Sequence, residues 1–245
     1  MLYHQVLAPF KVLSFDLDDT LYDNVPVMLR AEQEFLQHLK QATKIEALDA
    51  TYWKSWKNKV YQQDPILCEN VTLWRWQAMA LMLQHHQKNA QEIQQICQQA
   101  MTVFFQWRNN IQVPQESITT LEKLKNHYSL VAFSNGNVDP QRLGFHCFDL
   151  VLRGGEDGRA KPHPELFLNI AQHYQVSPQQ ILHVGDNLIT DVEGAIKAGC
   201  QAAWVNITNA PLPKSQKEIP NIEIKNVVEL LDIVIKPIFI NRNNC

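Results

Sequence analysis

The chain has 245 residues, of which 45% are apolar and 19% are charged, and its formal net charge is −3. This length can form one large hydrophobic core and a smaller accessory domain, and the composition predicts a folded globular protein. No dense stripe of Lys and Arg appears in the sequence, which argues against a nucleic-acid partner or an anionic-membrane partner. A phosphate-bearing ligand would therefore be held by a few placed groups.

Cysteine usage and hydropathy indicate the compartment. The five cysteines are odd in number and form no Cys-x-x-Cys pair, so incidental thiols in a reducing compartment are expected. The first ten residues do not resemble a signal peptide, and the apolar segment 227–240 contains charged residues and a proline that prevent it from spanning a bilayer. We expect a cytoplasmic monomer or homodimer.

Short apolar runs alternate with helical patterns in residues 11–20 and 113–245. The predicted strands are, in chain order, Val12–Phe15, Leu130–Phe133, Leu150–Leu152, Ile181–Val184, Ala202–Val205 and Ile222–Ile224. The predicted helices are Ser117–Asn126, Pro164–Tyr174, Leu188–Ala198 and Asn226–Ile235. This alternation predicts an α/β fold with a mostly parallel, doubly wound, Rossmann-like sheet.

Residues 21–112 have a different pattern. They show no convincing strand and no glycine, but they contain many helix formers and five of the six tryptophans. We predict an all-helical domain inserted after the first strand. The expected organisation is a core of 1–20 and 113–245 around a cap of 21–112, with a loop at 206–220 and a surface tail at 236–245.

An acidic segment, FDLDDT, follows the first predicted strand and contains Asp16, Asp18 and Asp19. Three carboxylates within four residues repel one another, and a bound Mg²⁺ would relieve the repulsion because it prefers oxygen ligands. Asp16 and Asp18 are two residues apart on an extended chain, so both can face one ligand. One could attack phosphorus while the other handles the leaving-group proton. A solvated acidic turn is the alternative.

Two later segments offer groups that could bind phosphate. Ser134 ends a predicted strand and is followed by Asn135, Gly136 and Asn137, whose turn can present a hydroxyl and backbone N–H groups. Lys161 precedes a helix start and could neutralise a phosphate oxygen. A plain turn and a surface lysine are the respective alternatives.

A fourth segment, ILHVGDNLITDV, carries Asp186 at the end of a buried strand and Asp191 five residues later. Asp186 would supply another oxygen ligand for Mg²⁺, and Asp191 would orient water or Lys161. A helix N-cap is the alternative role for Asp191.

In this order, the four segments resemble the motifs of the haloacid dehalogenase superfamily. The resemblance implies that Asp16 is the nucleophile and Asp18 the general acid and base, and that Ser134, Asn135 and Lys161 bind the phosphoryl group. It further implies Mg²⁺ held by Asp16, the backbone carbonyl of Asp18 and Asp186, with Asp191 and Asn187 in the outer shell. Asn187 stands where many members carry an acidic residue.

FDLDDTLYDN, VTLWRW, SNGN and ILHVGDNLITDV are similar to a bacterial phosphatase subgroup of that superfamily. Its members act on flavin mononucleotide and on 5-amino-6-(5-phosphoribitylamino)uracil, so a small phosphate ester of this type is the expected substrate. We expect the cap to set specificity, with candidate residues Tyr22, Asn24, Trp74, Arg75 and Asn137. The tryptophans could instead form only the core of the cap.

Three other functions remain open from the sequence. Hydrolytic dehalogenation on the same scaffold does not need the acid that Asp18 provides. A sugar-phosphate phosphatase or a phosphomutase could use the same scaffold, and in a phosphomutase a sealed cap would favour return of the phosphoryl group to the sugar over its transfer to water. A non-catalytic binding protein could keep the scaffold alone, although the intact Asp16, Asp18, Ser134, Lys161 and Asp186 argue against it.

Overall fold

A computed structural model describes residues 1–235 of the protein, so the predicted surface tail at 236–245 lies outside the described residues. In this range the chain forms seven strands: β1 (Leu2–Tyr3), β2 (Val12–Phe15), β3 (Ser129–Ser134), β4 (Leu150–Arg153), β5 (Ile181–Gly185), β6 (Gln201–Val205) and β7 (Ile222–Ile224). They form one sheet in the order β1-β7-β6-β5-β2-β3-β4. Neighbours are parallel except for β1, which pairs antiparallel with β7.

The six predicted strands are confirmed to within two residues at each end. β2 and β5 are buried along their whole length, as expected for parallel strands that helices cover on both faces. The edge strand β1 was not predicted, because two exposed residues carry no periodic signal.

The strand order determines where the polar segments meet. β2 lies between β3 and β5, with Phe15 opposite Ala132 on one side and Val184 on the other. The residues that follow these three strands therefore emerge at one edge of the sheet. Open α/β sheets bind their ligands at this carboxyl edge.

Between β2 and the next core helix lie four helices: α1 (Val25–Thr43), α2 (Ala50–Gln63), α3 (Val71–His85) and α4 (Ala90–Arg108). Each of the last three begins at a side chain that accepts hydrogen bonds from the first turn, namely Asp49, Asn70 and Asn89. These helices bury a core of their own around Phe35, Trp53, Met79 and Phe104. The α/β core with a helical cap is confirmed, and the boundaries at 20/21 and 112/113 stay predictions.

The remaining helices are α5 (Gln115–Lys125), α6 (Glu165–Tyr174), α7 (Gly194–Lys197) and α8 (Leu231–Ile235). The predicted helix Leu188–Ala198 begins as a π-helical turn, Leu188–Glu193, which continues into α7. Asn187 caps this turn by accepting from the N–H groups of Ile189 and Thr190, so an N-cap role for Asp191 is wrong. No helix within residues 1–235 is long and apolar enough to cross a membrane.

Candidate active site

Lys161 lies at the centre of the polar residues that gather at the carboxyl edge of the sheet. Its Nζ is 2.7 Å from Oδ1 of Asp16 and 2.7 Å from Oδ1 of Asp191, and it donates to the carbonyl oxygen of Phe133 at 2.8 Å. Burial alone would lower the pKa of Lys161, but the two carboxylates raise it above its ordinary value. The surface-lysine alternative is therefore wrong, because this side chain is a buried cation.

Asp191 is the least exposed of the acidic groups around that ammonium. Besides Lys161, it accepts from Nε2 of His183 at 3.2 Å and from the backbone N–H of Asn187 at 3.0 Å. Burial would raise the pKa of Asp191, but Lys161 and the His183 hydrogen bond lower it below its usual range. Asp191 is thus an ionised group that holds Lys161 in place.

His183 was not identified as a site residue from the sequence, because it is a single polar residue within the otherwise apolar segment ILHVG. Its Nδ1 is 2.8 Å from Oγ of Ser14, and its ring lies against Phe133 and Phe167. Burial, followed by the nearby charge of Lys161, lowers the pKa of His183 to about 4 despite its contact with Asp191. A neutral ring therefore donates from Nε2 to Asp191 and accepts from Ser14.

Asp16, Asp186 and Asp191 each place one carboxylate oxygen within 4.8 Å of the others. Burial raises the pKa of Asp16 to about 8, opposed by Lys161 and reinforced by Asp191. Burial also raises the pKa of Asp186 to about 6, and the charges of Asp191 and Asp19 add to the increase. This cluster of hard oxygen donors has more negative charge than Lys161 neutralises, and it fits a divalent cation such as Mg²⁺.

The turn after β3 presents the predicted phosphate-binding groups beside Lys161. The backbone N–H of Gly136 donates to Oγ of Ser134 at 2.9 Å. The Asn135 side chain brackets the backbone of Lys161, accepting from its N–H and donating to its carbonyl, each at 2.9 Å. Asn135 therefore fixes the lysine loop, a contact that the sequence did not indicate.

Asp18 contacts two side chains that follow the nucleophile segment, Tyr22 and Arg108. Its Oδ1 accepts from the hydroxyl of Tyr22 at 2.7 Å, and both its oxygens accept from Nη2 of Arg108 at 2.8 and 2.6 Å. Arg108 also donates to Oδ1 of Asn24 at 2.8 Å. Arg108 ends α4 and was not identified, since no local pattern connects it with an aspartate 90 residues earlier.

A cavity of about 370 Å³ opens between the catalytic edge and the cap, a size within the range of small-molecule sites. Four of the five predicted specificity residues line it: Asn24, Trp74, Arg75 and Asn137. Tyr22 does not line it and is 3% exposed beneath Asp18. Trp53 and Trp56 are buried in the cap core, which agrees with the alternative that these tryptophans only form that core. Trp74 packs on the same core and also lines the cavity.

The cap also contacts the lysine loop directly. Glu69, in the turn before α3, accepts from the guanidinium of Arg159 at 2.7 to 2.9 Å and from the backbone N–H of Ala160 at 2.8 Å. The hydrogen bonds to Arg159 lower the pKa of Glu69. A Cβ on Gly155 would lie 2.3 Å from the carbonyl carbon of Glu69, so glycine allows this close approach.

Comparison with known proteins identifies the class to which this fold and site belong. A profile of the haloacid dehalogenase-like hydrolase family matches residues 10–199. The chain is 35% identical over 240 residues to the 5-amino-6-(5-phospho-D-ribitylamino)uracil phosphatase YigB of Escherichia coli K12, covering 96% of the chain and all of the relative. The human N-acylneuraminate-9-phosphatase is 24% identical, with 91% of the chain and 93% of the relative covered.

The crystal structure of a 2-haloacid dehalogenase from Pseudomonas syringae pv. Tomato DC3000 superposes with a TM-score of 0.85 at 30% identity, covering 92% of the chain and 98% of that structure. The chain therefore belongs to the haloacid dehalogenase-like hydrolase family. Within that family it is a phosphoric monoester hydrolase, in agreement with its curated phosphatase relatives.

Proposed function

We propose that the chain is a Mg²⁺-dependent phosphatase that forms an aspartyl-phosphate on Asp16 and acts on a riboflavin-pathway phosphate or flavin mononucleotide. The approach of Lys161 Nζ to within 2.7 Å of Asp16 is the main observation in favour of this function. The ammonium lies where it can stabilise the ionised nucleophile and the transferred phosphoryl group together.

The reaction consists of two in-line displacements at phosphorus. A carboxylate oxygen of Asp16 bonds to phosphorus while the ester P–O bond breaks, and Asp18, which must begin protonated for this step, gives its proton to the departing alkoxide. Asp18 then takes a proton from water, whose oxygen attacks phosphorus and releases Asp16. Ser134 and Lys161 hold the phosphoryl oxygens, assisted by Asn135.

Asp16, the backbone carbonyl of Asp18 and Asp186 would hold the Mg²⁺, with Asp191 and Asn187 orienting the groups around it. When bound, the ion would neutralise phosphate charge and add to the positive charge of Lys161. The clustered carboxylate oxygens of Asp16 and Asp186 support this assignment, because such a donor set suits a hard cation. The hydrogen bonds of Asp191 to His183 and Asn187 support an orienting role rather than direct ligation.

The substrate assignment is supported by the similarity to YigB, whose name specifies a ribitylaminouracil phosphate. Trp74 offers the cavity a flat apolar surface suited to a ring. We assign Asn24, Trp74, Arg75 and Asn137 to the leaving-group site. Tyr22 acts on Asp18 instead, through its hydroxyl.

The first experiment is a phosphate-release assay with 5-amino-6-(5-phosphoribitylamino)uracil, flavin mononucleotide, simple sugar phosphates and 2-chloropropionate. We expect the two ring-bearing esters to react fastest with Mg²⁺ and to be inert with a chelator. With 2-chloropropionate the product measured is chloride. Release of chloride from it faster than release of phosphate from the esters would favour the dehalogenase alternative. An isomerised sugar phosphate would indicate a mutase.

A matched pair of variants tests the nucleophile. Asp16→Asn keeps the size of the side chain but removes the attacking oxygen anion, so turnover should fall by at least about 10³-fold while the protein stays folded. Glu34→Gln, which removes a partly exposed acid on α1 that pairs with Arg30, should retain wild-type turnover. Near-normal activity of Asp16→Asn would contradict the assignment.

A further inference from the structure

One wall of the cavity carries a carboxylate between two cations. Oε1 of Glu32 lies 3.0 Å from Nη1 of Arg75 and 3.6 Å from Nζ of Lys57, and all three side chains line the cavity. They come from α1, α3 and α2 respectively, so the helical packing of the cap assembles them. Asp18, Asn135 and Gly136 line the same cavity at its catalytic end.

Surrounding aromatic rings hold this charged row in place. The Arg75 guanidinium lies 3.8 Å from the centre of the Phe104 ring, and Lys57 Nζ lies 5.6 Å from that of Trp74. Burial lowers the pKa of Lys57, an effect that Glu32 opposes. Three charges held beside apolar rings provide hydrogen-bond groups in fixed positions for a ligand.

Glu32 has unused capacity to accept hydrogen bonds. Its Oε2 is shielded from solvent and has no hydrogen-bond partner among the residues that the structure describes, and the Glu32 side chain as a whole is 28% exposed at the cavity wall. Lys57 and Arg75 flank it with N–H donors. The wall therefore offers a donor, an acceptor and a second donor in a row.

We propose that Lys57, Glu32 and Arg75 form the recognition site for the imide edge of a pyrimidinedione ring, an inference that rests on the proposed function. The uracil ring and the flavin ring share this edge, in which an N–H group lies between two carbonyl oxygens. The acceptor–donor–acceptor edge complements the donor–acceptor–donor wall. Glu32 accepts from the imide N–H, and the two cations donate to the carbonyls.

The same row disfavours leaving groups that carry a carboxylate. Glu32 lies between the cations and partly neutralises both, so an incoming carboxylate would meet a like charge at close range. Phosphoserine and N-acylneuraminate phosphate bear such a carboxylate. The cavity wall thus favours binding of a neutral heterocycle over the acidic substrates named for other family members.

Flavin mononucleotide and its N3-methyl derivative test the proposal, because they differ only at the imide N–H. The wild-type enzyme should hydrolyse flavin mononucleotide with a kcat/KM at least about tenfold higher than that for the methylated ester, since a buried acceptor left unpaired weakens binding. Glu32→Met should reduce this preference to about twofold or less. Glu34→Gln, on the same helix but away from the cavity, should retain it.

A second variant keeps the test decisive if Glu32→Met does not fold. Lys57→Met removes one donor from a side chain that is 23% exposed, and it should lower turnover of flavin mononucleotide by about tenfold more than turnover of p-nitrophenyl phosphate. Equal turnover of the two flavin esters by the wild type, or equal losses on both substrates in Lys57→Met, would overturn the imide site alone. If the wild type hydrolyses p-nitrophenyl phosphate but neither flavin mononucleotide nor the ribitylaminouracil ester, the proposed substrate class fails, and the imide site fails with it.

Discussion

His183 connects the interior of the sheet with the buried ammonium of Lys161 through Asp191. Ser14, His183, Asp191, Lys161 and Asp16 form a continuous series of polar contacts of 2.7 to 3.2 Å. Each member fixes the orientation of the next, because buried polar groups with satisfied partners have few alternative positions. The placement of Lys161 therefore depends on a strand residue that does not reach the substrate.

The acid stability of the protein should show the contribution of His183. Its pKa falls from 6.5 in the unfolded chain to about 4 in the native state, so the unfolded chain binds more protons in this window. The stability that neutral His183 contributes is present above pH 6.5 and is lost as the pH falls towards 4. The free energy of unfolding of the wild type, relative to His183→Gln, should decrease by up to about 3 kcal/mol over that range.

Denaturant unfolding at several pH values measures this difference. Asp16 and Asp186 have raised pKa values, so the stability that their protonated forms contribute is lost as the pH rises. This change in the free energy of unfolding is opposite in sign to that of His183. The two aspartates are present in both proteins, so the comparison with His183→Gln removes the part of their contributions that does not depend on His183. A difference that stays constant between pH 6.5 and 4 would contradict a neutral His183.

Gly185 controls the position of Asp191 from the end of β5. A Cβ at residue 185 would lie 2.3 Å from Cγ of Asp191, so Gly185→Ala must displace this carboxylate and with it Lys161. Turnover should fall by about 10²-fold or more, as expected for a misplaced catalytic group. Phosphate release measured alongside the thermal midpoint checks this expectation.

Gly199→Ala is the matched control for that substitution. Gly199 has a φ of +83°, and a Cβ there would have no contact closer than 3.5 Å. The substitution should lower stability by about 1 kcal/mol through backbone strain while leaving turnover unchanged. Equal activity in the two variants would show that Asp191 can move without consequence.

At the scale of elements, the turn before α3 is joined to the loop that carries Lys161. Glu69 binds both Arg159 and the N–H of Ala160, which lie immediately before the lysine. On the neighbouring turn, Nδ2 of Asn137 donates to Oγ1 of Thr72 at 3.0 Å. These contacts link the position of the cap to the alignment of the loop that carries Lys161.

Glu69→Gln should weaken that link. We expect KM to rise and the dependence of KM on salt to decrease, because a partly exposed ion pair is screened by salt and its neutral replacement is not. Steady-state kinetics at low and high NaCl provide the measurement. Arg142→Gln, which removes the exposed pair with Asp139, is the control and should leave both quantities unchanged.

At the scale of the whole molecule, cation binding should be linked to folding stability. The Asp16 oxygen and the oxygens of Asp186 and Asp191 come from two separated parts of the chain and meet only in the native state. Mg²⁺ should therefore raise the thermal midpoint, with a stabilisation of about 2.7 kcal/mol at a hundredfold excess over its dissociation constant. Asp186→Asn should remove most of this shift, and Glu34→Gln should retain it.

The sequence by itself determined the six strands β2 to β7 and the list of candidate catalytic residues. Mostly apolar runs such as Val12–Phe15 and Ile181–Val184 are long enough to identify buried parallel strands, and the polar residues that follow them are read from the chain order. Because neighbouring parallel strands end at the same edge, Asp16, Ser134 and Asp186 could be expected to meet. The helical block also followed from local propensity alone.

Only the tertiary structure decided which partners these residues have. Arg108 meets Asp18, and Glu32 meets Lys57 and Arg75, through the packing of helices whose spacing in the chain gives no sign of contact. The role of His183 could not be predicted, because a histidine inside a buried strand occupies a position that an apolar residue could equally fill. Local sequence preferences act over a few residues, whereas these contacts depend on how the cap helices pack on one another and on the sheet, which is set by long-range burial of apolar surface.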